Sequence, residues 1–118
     1  MKVNLDGRTF LGTVNYDDGD LNLETRFTYH QRGNAVWGEV TGGQVVAGSL
    51  VAAVLDDGSL NMCWMYINFR AEVVAGTCVS TPDILPDGRI RLTEVWEVTK
   101  GPNKGLKGQS VTEETPPE

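Results

Sequence analysis

Tight-turn residues recur along this chain so often that only strand-length pieces remain between them. Asp-Gly occurs at Asp6-Gly7, Asp18-Gly19, Asp57-Gly58 and Asp87-Gly88, and Gly33-Asn34 and Gly42-Gly43 supply two more turns. Glycine, Asp and Asn tolerate the positive φ that tight hairpin turns demand. The intervening residues are rich in Val, Thr, Ile, Tyr, Phe and Trp, which suit a pleated, half-buried surface. About eight such pieces joined by hairpins predict an all-β antiparallel meander. Closing it into an up-and-down barrel would remove both exposed sheet edges. A barrel of that size has room for packed side chains or for one small ligand. A two-sheet β-sandwich is the alternative.

The expected strands cover residues 9–16, 21–30, 35–41, 45–55, 60–69, 72–81, 89–99 and 105–113. In the second, Leu21, Leu23, Thr25, Phe27 and Tyr29 alternate with polar residues, which predicts one buried and one wet face. Segment 45–55 also fits helical spacing at Ala47, Leu50, Val51, Val54 and Leu55, but Gly48, Ser49 and four valines favour a strand. Pro82 is expected to end the sixth strand, since proline cannot donate to a ladder. The chain of 118 residues reads as one domain, with 114–118 a frayed tail.

Net charge is −6 and the pI is about 4.7, which disfavours a phosphate-backbone partner. Met1 to Asp6 lacks the apolar core of a signal peptide, and no apolar run approaches a membrane span. Two cysteines, Cys63 and Cys78, are too few for a disulfide scaffold, so a cytoplasmic protein is expected. A two-residue turn at Arg70-Ala71 would set them directly opposite each other; a three-residue turn would put them on opposite faces.

Glu94 is the sharpest oddity. It falls in register with Ile90, Leu92, Trp96 and Val98, so alternation puts a carboxylate on an apolar face. That is costly unless it is paired or has a task, such as anchoring a ligand or moving a proton. Trp37, Trp64 and Trp96, on three different strands, would with Phe27, Tyr29 and Tyr66 line a pocket for a flat or apolar molecule, or pack as ordinary barrel core. Trp37 alternates with Val36 and Val40; an outward Trp37 would mark a dimer contact. The single histidine, His30, and the absence of Cys-x-x-Cys give no common zinc pattern and no Ser-His-Asp device. Turn chemistry explains Asp17-Asp18-Gly19-Asp20 and Asp56-Asp57-Gly58 without calcium. The stretch Gly101 to Gly108 is not a phosphate-binding loop, and the chain carries no cofactor motif.

From Ser80 the chain reads Ser-Thr-Pro-Asp-Ile-Leu-Pro-Asp-Gly-Arg-Ile-Arg-Leu-Thr-Glu-Val-Trp, followed later by Lys107-Gly108-Gln109-Ser110 and Glu113-Glu114. Together with Gly43, Gly48 and Ala75-Gly76-Thr77-Cys78, this resembles a family of small bacterial proteins often labelled N-acetylglutamate synthase. The resemblance covers most of the chain and implies a calycin-like barrel of the lipocalin or avidin kind. Val98 departs from that family's pattern, where a second Trp often follows Trp96. Gly12-Thr13-Val14-Asn15-Tyr16 is also similar to the opening strand of biotin-binding barrels, over too short a stretch to carry a ligand across. Acetyl transfer from acetyl-CoA usually needs a loop or helix N-terminus to hold pyrophosphate, and no strand-to-helix junction of that kind occurs.

The residues therefore point to a small, partly apolar ligand held in a barrel lumen, with Glu94, Trp96, Trp64, Tyr66 and Tyr29 as anchors. Two alternatives use the same chain differently. One is an enzyme with Glu94 as general acid or base; the other is a non-catalytic interaction module, as a homodimer.

Overall fold

A computed structural model describes residues 2–13 and 19–116. Eight strands follow one another: β1 (Thr9–Gly12), β2 (Arg26–Arg32), β3 (Ala35–Gly42), β4 (Val45–Val54), β5 (Leu60–Asn68), β6 (Val73–Ile84), β7 (Ile90–Lys100) and β8 (Lys107–Glu114). Each pairs antiparallel with the next, and β8 returns to β1 through Leu11 opposite Glu113, closing the barrel. Closure leaves neither β1 nor β8 as a free edge strand among the described residues. The sandwich alternative is set aside by this closure.

Side-chain alternation sets inside from outside. In β3, Val36, Gly38 and Val40 face in, while Ala35, Trp37 and Glu39 face out. In β7, Ile90, Leu92, Glu94 and Val98 face in. The two ends of the barrel differ. Leu5, in the segment before β1, is fully buried and joins Phe10, Leu60 and Leu92 as a plug at one end. Phe10 meets Tyr29 edge-on at a centroid distance of 5.2 Å. Each such buried side chain contributes about 1.5–3 kcal/mol of transfer free energy. The opposite end is ringed by the turns after β3, β5 and β7 and by the chain entering β2.

Segment 45–55 is a strand, and a bulge between Val45 and Ala47 absorbs its mixed pattern. β2 starts later than alternation suggests. Asn22 accepts from the Glu24 N–H at 2.8 Å, and the Thr25 hydroxyl accepts from the Asn22 N–H at 3.0 Å. Such local bonds compete with a ladder, and Leu23 is left exposed. The first strand is described only to Gly12, and residues 14–16 of the expected strand lie outside the described residues.

Pro82 does not end β6: it sits opposite Leu92, and the strand runs on to Ile84. β5 has already stopped at Leu60 opposite Ser80, leaving a flank where a missing N–H removes no ladder bond. Glu114, expected to begin the tail, is the last residue of β8. Its carboxylate accepts from Arg8 at 2.8 Å and from the Ile90 N–H at 3.1 Å, and the Thr115 N–H donates to the Thr9 carbonyl.

The β5–β6 turn spans three residues, 69–71, with Ala71 in the left-handed region at φ 59°. This register puts Cys78 opposite Met62 and Cys63 opposite Thr77. Cys78 is buried and Cys63 exposed, so they lie on opposite faces.

Candidate functional site

The open end leads into a cavity of about 280 Å³ inside the barrel. That is room for about nine water molecules, at the lower edge of small-molecule sites. Glu94, Trp96, Trp64, Tyr66 and Tyr29 all line it, as does Phe27. The five side chains come from three strands: Tyr29 from β2, Trp64 and Tyr66 from β5, Glu94 and Trp96 from β7.

Inward-facing glycines make the aromatic walls possible. The Trp64 ring lies directly on Gly76 of β6, and the Trp96 ring on Gly108 of β8, so closely that a Cβ at either position would overlap the indole. Gly48 of β4 leaves the same space for Tyr66, whose Cβ would stand 2.9 Å from an added Cβ. The rings are held as well as seated. The Trp96 Nε1–H donates to Ser110 Oγ at 3.1 Å. Trp64 and Tyr66 stack at 6.0 Å with planes 14° apart.

Glu94 is 9 % exposed, midway down the lumen. Its register neighbours are Ser80 on one side and Ser110 on the other. Side chains so paired share a face within a few ångströms. The Ser80 and Thr112 hydroxyls are buried without a hydrogen-bond partner. The lumen is mostly apolar, with Val40, Leu50, Met62, Val74 and Val98 facing it, and its polar groups on β7 and β8 are Glu94 and Ser110. Cys78 lines the cavity too. Burial, and secondarily the charge of Glu94, pushes its thiol well above the usual range, so it is a small apolar wall rather than a nucleophile.

At the mouth a second set of polar groups converges that strand alternation alone does not reveal. The Asp20 carboxylate accepts from Tyr66 Oη at 3.1 Å, Asn68 Nδ2 at 2.9 Å and Arg70 at 2.8 Å. Arg70 also donates to Glu72 at 2.9 Å, as does Asn68. Burial works to raise the Asp20 pKa, but the hydrogen bonds from Asn68, Arg70 and Tyr66 and the Arg70 charge outweigh it and hold the carboxyl below its ordinary value. Asp20 thus does more than shape a turn; Asp17 and Asp18 lie outside the described residues. One signal was available: Asn68 has the same parity as Leu60, Met62, Trp64 and Tyr66, which puts an amide inside at the strand end.

Other candidates stand elsewhere. Asp57 caps its own turn through the Ser59 N–H at 2.9 Å. His30 lies on the outer face, 2.8 Å from Glu39 and stacked on an outward Trp37. Among the described residues, no three His, Cys, Asp or Glu side chains are grouped to hold a metal ion. No helix among them is long and apolar enough to cross a membrane. The loop after β7 is a hairpin, and its Pro102, Asn103 and Leu106 form part of the cavity rim.

No curated protein matches this sequence. A family model does: the one described as avidin-like protein matches residues 3–115, nearly the whole chain. With a closed eight-stranded antiparallel barrel behind that match, the chain belongs to the avidin-like family.

Proposed function

We propose that this barrel binds one small, partly apolar molecule in its lumen, with Glu94 orienting it and Trp64, Trp96, Tyr66 and Tyr29 enclosing it. The observation that carries this reading is the cavity of about 280 Å³ open at one end and lined by all five residues. Glycine seats and a hydrogen bond hold its walls before any ligand arrives, which reduces the ordering cost of binding. Acetyl-CoA chemistry, which the label N-acetylglutamate synthase would require, has little support: the described residues form strands and turns, with no helix N-terminus to hold a pyrophosphate. Two free cysteines on opposite faces favour a reducing, cytoplasmic setting.

The test is the native mass of the protein as purified against its denatured mass, followed by a thermal-shift screen of small aromatic compounds. A discrete extra mass, or stabilisation that Trp64→Ala and Trp96→Ala both abolish, supports the reading. Bare protein that no compound stabilises overturns it.

A homodimer is the second reading, supported by the outer face. Trp37, Val51 and Cys63 form one register row across β3–β5, and Val79 pairs with Val95 beside it. Trp37 is 42 % exposed and Val51 60 %. An uncharged patch suits a second copy of a chain whose net charge of −6 would otherwise repel it. Light scattering at micromolar concentration decides this: Trp37→Glu with Val51→Glu should give a monomer from a dimeric parent, and a monomeric parent removes the reading.

A further inference from the structure

The lumen's charge narrows the kind of molecule it can take. Among the described residues its lining contains three carboxylates, Asp20, Glu72 and Glu94, and a single cation, Arg70. Acidic groups thus outnumber basic ones among those residues. Arg70 is already engaged, with Asp20 at 2.8 Å and Glu72 at 2.9 Å. An anionic ligand would have to break those pairs to find a cation, and would bring its charge toward Glu94. A neutral ligand would gain at most a hydrogen bond to the Glu94 carboxylate, without the attraction between opposite charges. A cation would gain twice, from the carboxylate and from the faces of Trp64 and Trp96, since indoles attract positive charge within about 6 Å of the ring. The Ser80 hydroxyl, fully buried and without a partner, lies beside Glu94 in register and adds an acceptor on the same wall.

Resting on the lumen reading above, we propose that the ligand is a small organic cation with N–H donors, an ammonium or amidinium on a flat or apolar body. Its charged head points to Glu94 on β7, and its body fills the space between Trp64, Trp96 and Leu50. The Asp20–Arg70–Glu72 network closes the charge at the mouth and bars anions.

The experiment uses three probes of one shape on the intact protein: benzamidinium, neutral benzamide and anionic benzoate, followed by calorimetry and tryptophan fluorescence. Benzamidinium should bind at least tenfold more tightly than benzamide, with benzoate weakest. Glu94→Gln should bring benzamidinium down to about the affinity of benzamide, at least fivefold more than any loss benzamide itself shows, while Glu94→Asp should keep the preference. Benzoate binding as tightly as benzamidinium, or a preference that survives Glu94→Gln, overturns the proposal. The wild-type ranking decides it even where a variant fails to fold. Equal binding of benzamide and benzamidinium in the lumen leaves the lumen reading intact and removes the cation. Binding of none of the three removes the cation, and with a bare native mass it removes both.

Discussion

Placing a methyl group at Gly76 should cost more than placing the same group at Gly108, although each faces an indole. At Gly76 the new Cβ would meet the backbone oxygen of Glu97, on β7, as well as the Trp64 ring. At Gly108 the three nearest atoms all belong to the Trp96 ring, two of them at 2.7 and 2.9 Å. A side chain can turn aside; a strand paired on both sides cannot without disturbing its ladder. Overpacking a core costs about 1–3 kcal/mol. Gly76→Ala belongs at the top of that range, about 2–3 kcal/mol. Gly108→Ala should cost about 1–2 kcal/mol, including the Trp96–Ser110 hydrogen bond, itself worth about 1 kcal/mol. At about 4 °C per kcal/mol for a chain of this size, the melting temperature falls roughly 8–12 °C and 4–8 °C respectively. Circular dichroism melts and urea titrations read both. Gly108→Ala should also shift tryptophan emission more than its stability loss suggests, because Trp96 leaves its seat. A Gly76→Ala protein melting within about 2 °C of the parent, or one more stable than Gly108→Ala, would refute the account of how the walls are built.

Three further outcomes follow from single residues. Ala71→Gly should stabilise the barrel by roughly 0.5–1 kcal/mol in urea titration, because Ala71 holds φ 59°, where a Cβ is strained; a loss of stability would mean the turn is not left-handed in solution. Glu114→Ala should cost about 1.5–3 kcal/mol by the same titration, since its carboxylate accepts charge-assisted bonds from Arg8 and a main-chain bond from Ile90 across the closing seam; a neutral effect would return residue 114 to a frayed tail. The Asp20 carboxyl titrates lower in the folded than in the unfolded state, so its contribution is complete above the unfolded value of about 3.9 and is lost as pH falls through the folded one. Asp20→Asn should therefore be less stable than the parent at neutral pH and show a shallower stability loss below about pH 4, measured by urea midpoints across pH; parallel curves would show that the network carries no such linkage.

What the sequence disclosed and what it hid divide by range. Period-2 alternation is local, and it sufficed to turn Glu94, Trp96, Trp64, Tyr66 and Tyr29 inward. The parity that put Glu94 among Ile90, Leu92 and Val98 is the parity the strand has. The glycine seats needed register: Gly76 meets Trp64 only because the β5–β6 turn has three residues, a length that sequence left open. The mouth network needed topology. Asp20 and Arg70 are 50 residues apart and meet because the chain entering β2 and the β5–β6 turn share one end of a closed barrel. Pro82 misled for a related reason. A proline forbids a ladder bond, but whether a bond is wanted there depends on where the neighbouring strand stops.

The buried hydroxyls of the barrel interior give a last test of how its stability is set. Thr112 is 1 % exposed and its hydroxyl has no partner; Ser80 is fully buried in the same condition. A buried hydroxyl without a hydrogen bond costs about 1–3 kcal/mol by mutational comparison. Valine has nearly the shape of threonine and no hydroxyl, and its β-branched side chain suits a strand equally well. Thr112→Val should thus stabilise the barrel by about 1–2 kcal/mol, with a matching rise in urea midpoint at unchanged slope. If stability falls instead, the hydroxyl is hydrogen-bonded in solution, and the claim that it is buried at a cost is gone. If stability rises, the Thr112 hydroxyl is buried at a cost to the barrel, because its register partner is the apolar Leu92 of the plug and offers it no hydrogen bond.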